Sequence, residues 1–370
     1  MNCSIVHLEP WGAGGLRAAL RSDTLWGALC WAIRMIYGEA ELEKILASYR
    51  EKGADAFYLS SAFPYSEVGV EKNGEVQHKK TYFLPGPLLP STLNDDSDPT
   101  LGGKATNPRE IKLALRRRKA NNKRLTYCSK SYFENLISRG KSSLPPSKPP
   151  EIIARATTHN TIDRLTNGTL TLNERGQLYH TNEIYLKIDK GKKEDKKIVN
   201  RTVGWYFLLK GNLEKVQGAL RFLSHYGIGG DRSIGKGRFK ISEISDFEIK
   251  TPADANARMS LSLYRPTEAE LKQFLQGEQK KLMHYKLEDR LGRTQWGGIK
   301  QKPDKKAARG LQRFLHEDAL LFFTEGSIVP LISEQEDLLG QNTVVGRHHL
   351  DFDIERYGYG FMIDVKIPEL

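Results

Sequence analysis

The stretch HYGIGGDRSIGKGRFKI, residues 225–241, holds five glycines, Gly227, Gly229, Gly230, Gly235 and Gly237, interleaved with Asp231, Arg232, Ser233, Lys236 and Arg238. Glycine reaches φ > 0 and lets a ligand approach the main chain, at a cost in backbone entropy. Main-chain donors set among cations suit a string of phosphates. Two nucleotide motifs do not fit: GxxxxGK[ST] is absent, and a dinucleotide fingerprint needs its glycines between a strand and the start of a helix. Here they follow a helical pattern and precede an extended one, the wrong polarity for a phosphate at a helix N-terminus. The expectation is contact with an RNA backbone, the plain alternative a wide helix-to-strand connection.

Acid–base and metal chemistry find less support. None of the nine histidines lies in HExxH; HEDAL at His316 carries Leu320 where a second ligand belongs. His348, His349, Asp351 and Asp353 form the densest cluster of metal-capable residues. On a strand, His349, Asp351 and Asp353 would share one face about 7 Å apart, awkward for a single ion, so a surface or RNA-facing strand is expected instead. His7 and His159 are the remaining candidates for a general base, and neither has a partner in sequence. Cys3, Cys30 and Cys128 are odd in number and lack a CxxC pair. No catalytic residue, metal site or cofactor is therefore expected.

The elements that must hold the glycine stretch follow from periodicity. CSIVHLEP reads as a first strand, and Leu25, Ala28, Leu29, Ala32, Ile33 and Ile36 recur at helical spacing up to a stop at Gly38. Ser22 or Asp23 is placed to cap that helix; a phosphate at its N-terminus is the sharper option. AFYLSSAFPY is the next strand. Residues 85–200 form a long insertion, rich in turns and charge, with the basic run LRRRKANNKR at 115–124. That run is either a solvated helix face or an RNA contact. RTVGWYFLLKG then gives a strand, NLEKVQGALRFLSHY a helix ending at Gly227, and RFKISEISDFEIK a strand or bulged pair. Without the insertion the order is β-α-β, β-α-β, the split βαβ arrangement of many RNA-binding domains. RMSLSLYRP, TEAELKQFL, ALLFFTEG and GYGFMIDVKI suggest a diverged repeat. A formal charge of +12 over 370 residues favours a polyanionic partner, nucleic acid before an anionic membrane surface. No apolar run spans a bilayer and no signal peptide is evident, so a cytoplasmic location is expected.

GIGGDRSIGKGRF resembles the carboxyl-terminal glycine-rich loop of RAMP proteins, the repeat-associated family of CRISPR systems. LRSDTLWGALCWAI, YFLPGPLLP, HNTIDRLTNGT, SLSLYRPT and HHLDFDIERYGYGF occur in the order of the Csm-type subunit that holds the 5′ end of the guide RNA in type III-A effector complexes. The resemblance covers nearly the whole chain. It implies an α+β fold of two ferredoxin-like (RRM-like) domains with a long insertion and a projecting β-hairpin. Domain one would span 1–250, with the insertion 85–200 and the loop 227–238; the diverged domain would span 258–370. It implies a non-catalytic subunit that anchors the 5′ handle of crRNA beside the large polymerase-like subunit and backbone RAMP subunits, and meets target RNA indirectly. Gly227, Gly229, Gly230, Ser233, Gly235, Lys236 and Gly237 would line the handle, with Arg232 and Arg238 reaching phosphates or bases and Ser22 close by. His159, Asn160, Asp163 and Arg164 would lie near or on the hairpin, although Asn167-Gly168 is also a plain turn signal and Asp163–Arg164 could be a local pair. The family also contains endoribonucleases, so processing of precursor CRISPR RNA by a metal-independent mechanism is the alternative. A basic scaffold that binds only proteins would leave the glycine loop without a purpose.

Overall fold

A computed structural model describes residues 1–11, 15–51, 53–72, 75–89, 126–139, 147–163, 165–169, 171–172, 175–176, 178–187, 198–290, 319–332, 338–345 and 354–367. Arg164, the basic run 115–124, His316 and the His348–Asp353 cluster lie outside the described residues.

The chain opens with β1 (Asn2–Pro10), α1 (Ser22–Tyr37), α2 (Glu39–Glu51), β2 (Phe57–Leu59), β3 (Phe63–Lys72) and β4 (Glu75–Pro85). The segment read as one strand at AFYLSSAFPY is two, and β3 continues into a long hairpin with β4, running from Tyr65↔Tyr82 to Lys72↔Glu75. The insertion adds β5 (Tyr127–Ser129), α3 (Lys130–Arg139), β6 (Glu151–Asn160), β7 (Thr171–Leu172), β8 (Arg175–Gly176) and β9 (Leu178–Lys187). The main unit closes with β10 (Ile198–Gly211), α4 (Glu214–Tyr226), β11 (Phe239–Ile241) and β12 (Ser245–Glu248). All pairings in this sheet are antiparallel, in the order β11-β1-β10-β3-β4-β5, with β12 also on β1. The long strand β10 explains its own sequence. Trp205, Phe207 and Leu209 join the core under α1, α2 and α4, while Tyr206 and Leu208 enter a second core on the opposite face. A strand buried on both faces reads as an unbroken apolar run, as WYFLL does.

The second half contains β13 (Ala257–Ser260), α5 (Glu268–Phe274), β14 (Leu287–Arg290), β15 (Leu320–Phe323), β16 (Ile328–Pro330), β17 (Leu339–Gly340), β18 (Thr343–Val345), β19 (Ile354–Arg356), β20 (Tyr359–Gly360) and β21 (Met362–Val365). β13 lies between β16 and β21, both antiparallel to it. α5 starts with a capping box in which Thr267 and Glu270 satisfy each other's backbone amides. Met259, Ile328, Ile363 and Val365 from this half share the second core with Ile5, Phe63, Tyr206 and Leu208, and with Phe133 and Ile137 of α3. The whole is a mixed α+β fold built from antiparallel sheets, and one core crosses the expected boundary near residue 250.

The start of α1 corrects a sequence expectation. Arg21, not Ser22 or Asp23, is the N-cap, and it makes no side-chain capping bond. The Ser22 hydroxyl is fully buried and accepts the Leu263 amide at 3.0 Å, while the Ser22 amide donates to Ser61 Oγ. Ser22 thus ties the halves together and faces no solvent. Around it, Arg21 pairs with Glu288 and Glu325, and Asp23 receives both ends of the Arg290 fork at 2.9–3.2 Å.

Candidate nucleic-acid interface

Helix α4 ends because Gly227 adopts φ 87°, its amide still donating to the Leu223 carbonyl. Gly229, Gly235 and Gly237 also take positive φ, as does Asp231 at 59°. Gly230 does not, so its lack of a side chain serves space and not handedness: a Cβ there would sit 3.1 Å from Arg17 Cδ. At Gly237 both reasons hold, since a Cβ would fall 2.0 Å from the Ile228 carbonyl oxygen. The ends of the loop are sewn together by Ile228 N–H to Gly237 O at 2.8 Å, and the middle by a short 3-10 turn at Arg232–Ile234.

Between these ties lies the chemically open part. The amides of Gly229, Gly230, Asp231 and Ser233 donate to no acceptor among the described residues, and Gly230 and Ser233 are exposed. Gly229 and Asp231 take positive φ on either side of Gly230, which does not, and alternation of this kind is the backbone pattern that builds a concave cradle of N–H groups for an anion. The exposed side chains of Arg238 and Lys240 follow immediately, and Arg17, 44% exposed, lies over Gly230.

The cations in the motif are not equivalent. Arg232 packs its guanidinium 4.3 Å from the Tyr226 ring centroid and 5.7 Å from that of Trp31, in a group where Trp31 and Tyr226 stack at 4.7 Å. Burial in that stack lowers its pKa from the ordinary value, and the side chain fastens the loop to α1 and α4. Lys236, expected to face RNA, is buried. Its Nζ lies 2.9 Å from Glu183 Oε1, 3.2 Å from Asp231 Oδ2 and 3.3 Å from Thr181 Oγ1. Burial alone would lower the Lys236 pKa; its bonds to Glu183 and Asp231 outweigh burial and raise it, while the Tyr185 hydroxyl, ahead of Lys236, holds Glu183 below the usual carboxylate range. Of the three cations in the motif, Arg238 is the one left exposed.

The hairpin residues come together with the loop. β6 and β9 pair from Glu151↔Lys187 to Asn160↔Leu178, and the base of β9 is bridged to Leu16 by reciprocal bonds with Ile184 of 2.9 and 2.6 Å. Gly237 N–H reaches the carbonyl of Gly15, whose missing side chain leaves room for the Tyr185 ring. His159 stacks on Tyr179 and its Nε2 lies 2.9 Å from Thr181 Oγ1; Asn160 donates to Thr169 Oγ1. Asp163 accepts the Leu165 amide and shapes the tip, where Leu165 is 95% exposed and Asn167 takes φ 54°. Sequence reading missed Arg17, Trp31, Thr181, Glu183 and Tyr226. Each is ordinary in its own segment, and only packing makes it part of the site.

His7, the other candidate base, is half-buried, with Nε2 3.0 Å from the Tyr82 hydroxyl and Nδ1 3.4 Å from Ser242 Oγ. Burial, helped by Lys80, pulls its pKa down to about 4. No group of three or more metal-capable side chains occurs among the described residues.

Residues 9–240 match the family described as RAMPs, the RAMP superfamily. The chain belongs to the RAMP superfamily. The matched span runs from the end of β1 through the cradle and Arg238 into β11. This RAMP chain is 27% identical over 368 residues to the CRISPR system Cms protein Csm4 of Thermococcus onnurineus, covering 96% of the chain and 95% of that relative. It is 34% identical over 101 residues to the Csm4 protein of Methanocaldococcus jannaschii, covering 26% of the chain and 22% of that relative. Its fold is similar to a chain in the crystal structure of a Csm1-Csm4 cassette in complex with cA4, with a TM-score of 0.52 at 22% identity over all of both chains. A Csm3-Csm4 subcomplex of the type III-A CRISPR-Cas interference complex matches at 0.52 and 16%, over 99% of this chain and 100% of that one.

Proposed function

We propose that this RAMP chain is the Csm4-type subunit of a type III-A CRISPR interference complex, and that it anchors the 5′ repeat-derived handle of crRNA without cutting RNA. The observation that carries the reading is the set of open amides of Gly229, Gly230, Asp231 and Ser233, edged by Arg17, Arg238 and Lys240 and joined at its back to the β6–β9 hairpin. Phosphates would seat on the amides and cations, which fix register without reading sequence. The +12 charge supports a polyanion as ligand. A full-length relative called Csm4 supports the choice of subunit, and the known Csm1-Csm4 and Csm3-Csm4 complexes support a large subunit and a backbone RAMP subunit as partners. The second half, with β13 between β16 and β21 and α5 following β13, is read as a degenerate copy of the first. A cytoplasmic site of action belongs to the same proposal.

The surroundings of His7 and His159 speak against cleavage. Nε2 of His7 is engaged by Tyr82, and Nε2 of His159 by Thr181; among the described residues neither imidazole bonds a carboxylate or lysine for acid–base work. The test is to co-express the chain with its genomic neighbours, purify the assembly and sequence the RNA it retains. Guide RNAs that begin with repeat sequence are expected, held with strong salt dependence. Recovery of no RNA would overturn the reading. So would site-specific cutting of repeat RNA by the isolated chain, abolished by His159→Ala, which would make the protein a processing endoribonuclease.

A further inference from the structure

Lys236 sits within the glycine motif, yet its ammonium is buried among acceptors of its own chain. Its Nζ has three donors and three acceptors around it: Asp231 on the loop, and Glu183 and Thr181 on β9. The acceptors continue outward. Glu183 takes a second bond from the Tyr185 hydroxyl, and Thr181 Oγ1 meets His159 Nε2 on β6, whose ring lies on Tyr179. Asp231 is the hinge of the arrangement, because its amide belongs to the cradle while its carboxylate is held by Lys236 and by Arg17 at 3.1 Å. Lys236 and Glu183 are each less than a tenth exposed. A surface pair would be screened and soft; a buried one tolerates little displacement, since each ion is left uncompensated when its partner moves.

We propose that Lys236 is a positioning residue that touches no RNA: it locks the β6–β9 hairpin to the glycine loop, so that an anion seated on the loop amides fixes the hairpin's orientation. This rests on the RNA-binding reading of the loop. Seating a phosphate on the Asp231 amide immobilises the Asp231 backbone, its carboxylate holds Lys236, and Lys236 holds β9 through Glu183 and Thr181. The basic residue of the motif would then act through packing, while phosphate charge is met by Arg17, Arg238 and Lys240.

Hydrogen–deuterium exchange of the full-length chain, with and without an RNA oligonucleotide carrying the repeat sequence of its own CRISPR locus, tests the proposal. In the wild type, RNA should slow exchange in 227–238 and also in 151–160 and 178–187. In Lys236→Met and in Glu183→Gln the loop should remain protected, while the RNA-dependent slowing in the hairpin falls by about two- to thirtyfold, the range of a local coupling. Lys236→Arg, which keeps the cation, should restore part of it. Glu183→Gln keeps the shape of the contact and carries the test if Lys236→Met does not fold. Equal hairpin protection in wild type and variants would overturn the lock while leaving the RNA-binding reading intact. Loss of loop protection in folded variants would make Lys236 an RNA ligand and overturn it too. No loop protection in the wild type would overturn the RNA-binding reading, and the lock with it.

Discussion

At the scale of single residues, three cations only six positions apart have different work. Arg238 is exposed beside the cradle, Arg232 is laid on Tyr226 and Trp31, and Lys236 is buried against Glu183. Arg238→Ala should therefore weaken RNA binding and reduce the slope of log K against log salt by about one, read from binding titrations at several salt concentrations. Arg232→Ala should leave that slope near the wild-type value and lower the melting temperature, because it removes a stacked guanidinium. A slope reduced by about one in Arg232→Ala would put its side chain on phosphate. The glycines divide in the same way. Gly235→Ala places a Cβ in open space at φ 88° and should cost about 1–2 kcal/mol in a thermal or denaturant melt. Gly237→Ala drives a Cβ into the Ile228 carbonyl and should unfold the loop tie altogether, with a larger loss of stability and of RNA binding.

At the scale of elements, the sheet buries imidazole where a charged form is penalised. His7 on β1 has its pKa lowered to about 4 by burial and Lys80, and burial also lowers that of His284. For such a group the unfolded chain, at an ordinary pKa near 6.5, binds more protons than the folded one. Stability contributed by His7 is thus present above about pH 6.5 and is lost as pH falls toward 4. Melting temperatures should decline across that window, and His7→Gln, which can still meet the Tyr82 hydroxyl, should flatten part of the decline. A profile unchanged by His7→Gln would mean that His7 does not titrate there. Helical and strand segments were legible wherever one periodicity dominated. GYGFMIDVKI and RTVGWYFLLKG became β20–β21 and β10, and TEAELKQFL became α5 with its capping box. The β3–β4 hairpin was missed because Gly69, Glu71, Lys72 and the exposed run Glu75–Lys80 break the apolar alternation that signals a strand. Over that exposed run the pairing is held by backbone bonds to β3, and β4 buries side chains only at its end, from Phe83 to Pro85.

At the scale of the molecule, the expected division near residue 250 meets a core that crosses it. Ile5, Phe63, Tyr206 and Leu208 of the first half pack with Met259, Ile328, Ile363 and Val365 of the second, and Arg21, Asp23 and Ser22 bond across the same border. Residues 1–250 alone would expose that apolar face. The fragment should bind a hydrophobic dye and melt without a sharp transition, whereas the full chain melts cooperatively by calorimetry; a sharp, dye-free melt of the fragment would make the halves independent. The sequence by itself determined β1, α1, β10, α4 and α5, the glycine loop between α4 and β11, the charge and the family, because each is carried by residues close together in the chain. It also marked the turn at Asn167-Gly168, where Asn167 takes φ 54°. Which cations of the motif are free, and that the loop and the hairpin form one surface, was decided by tertiary structure alone. Lys236 and Glu183 stand 53 positions apart in sequence and 2.9 Å apart in space, and no local pattern records a contact that exists only once β9 packs against the loop.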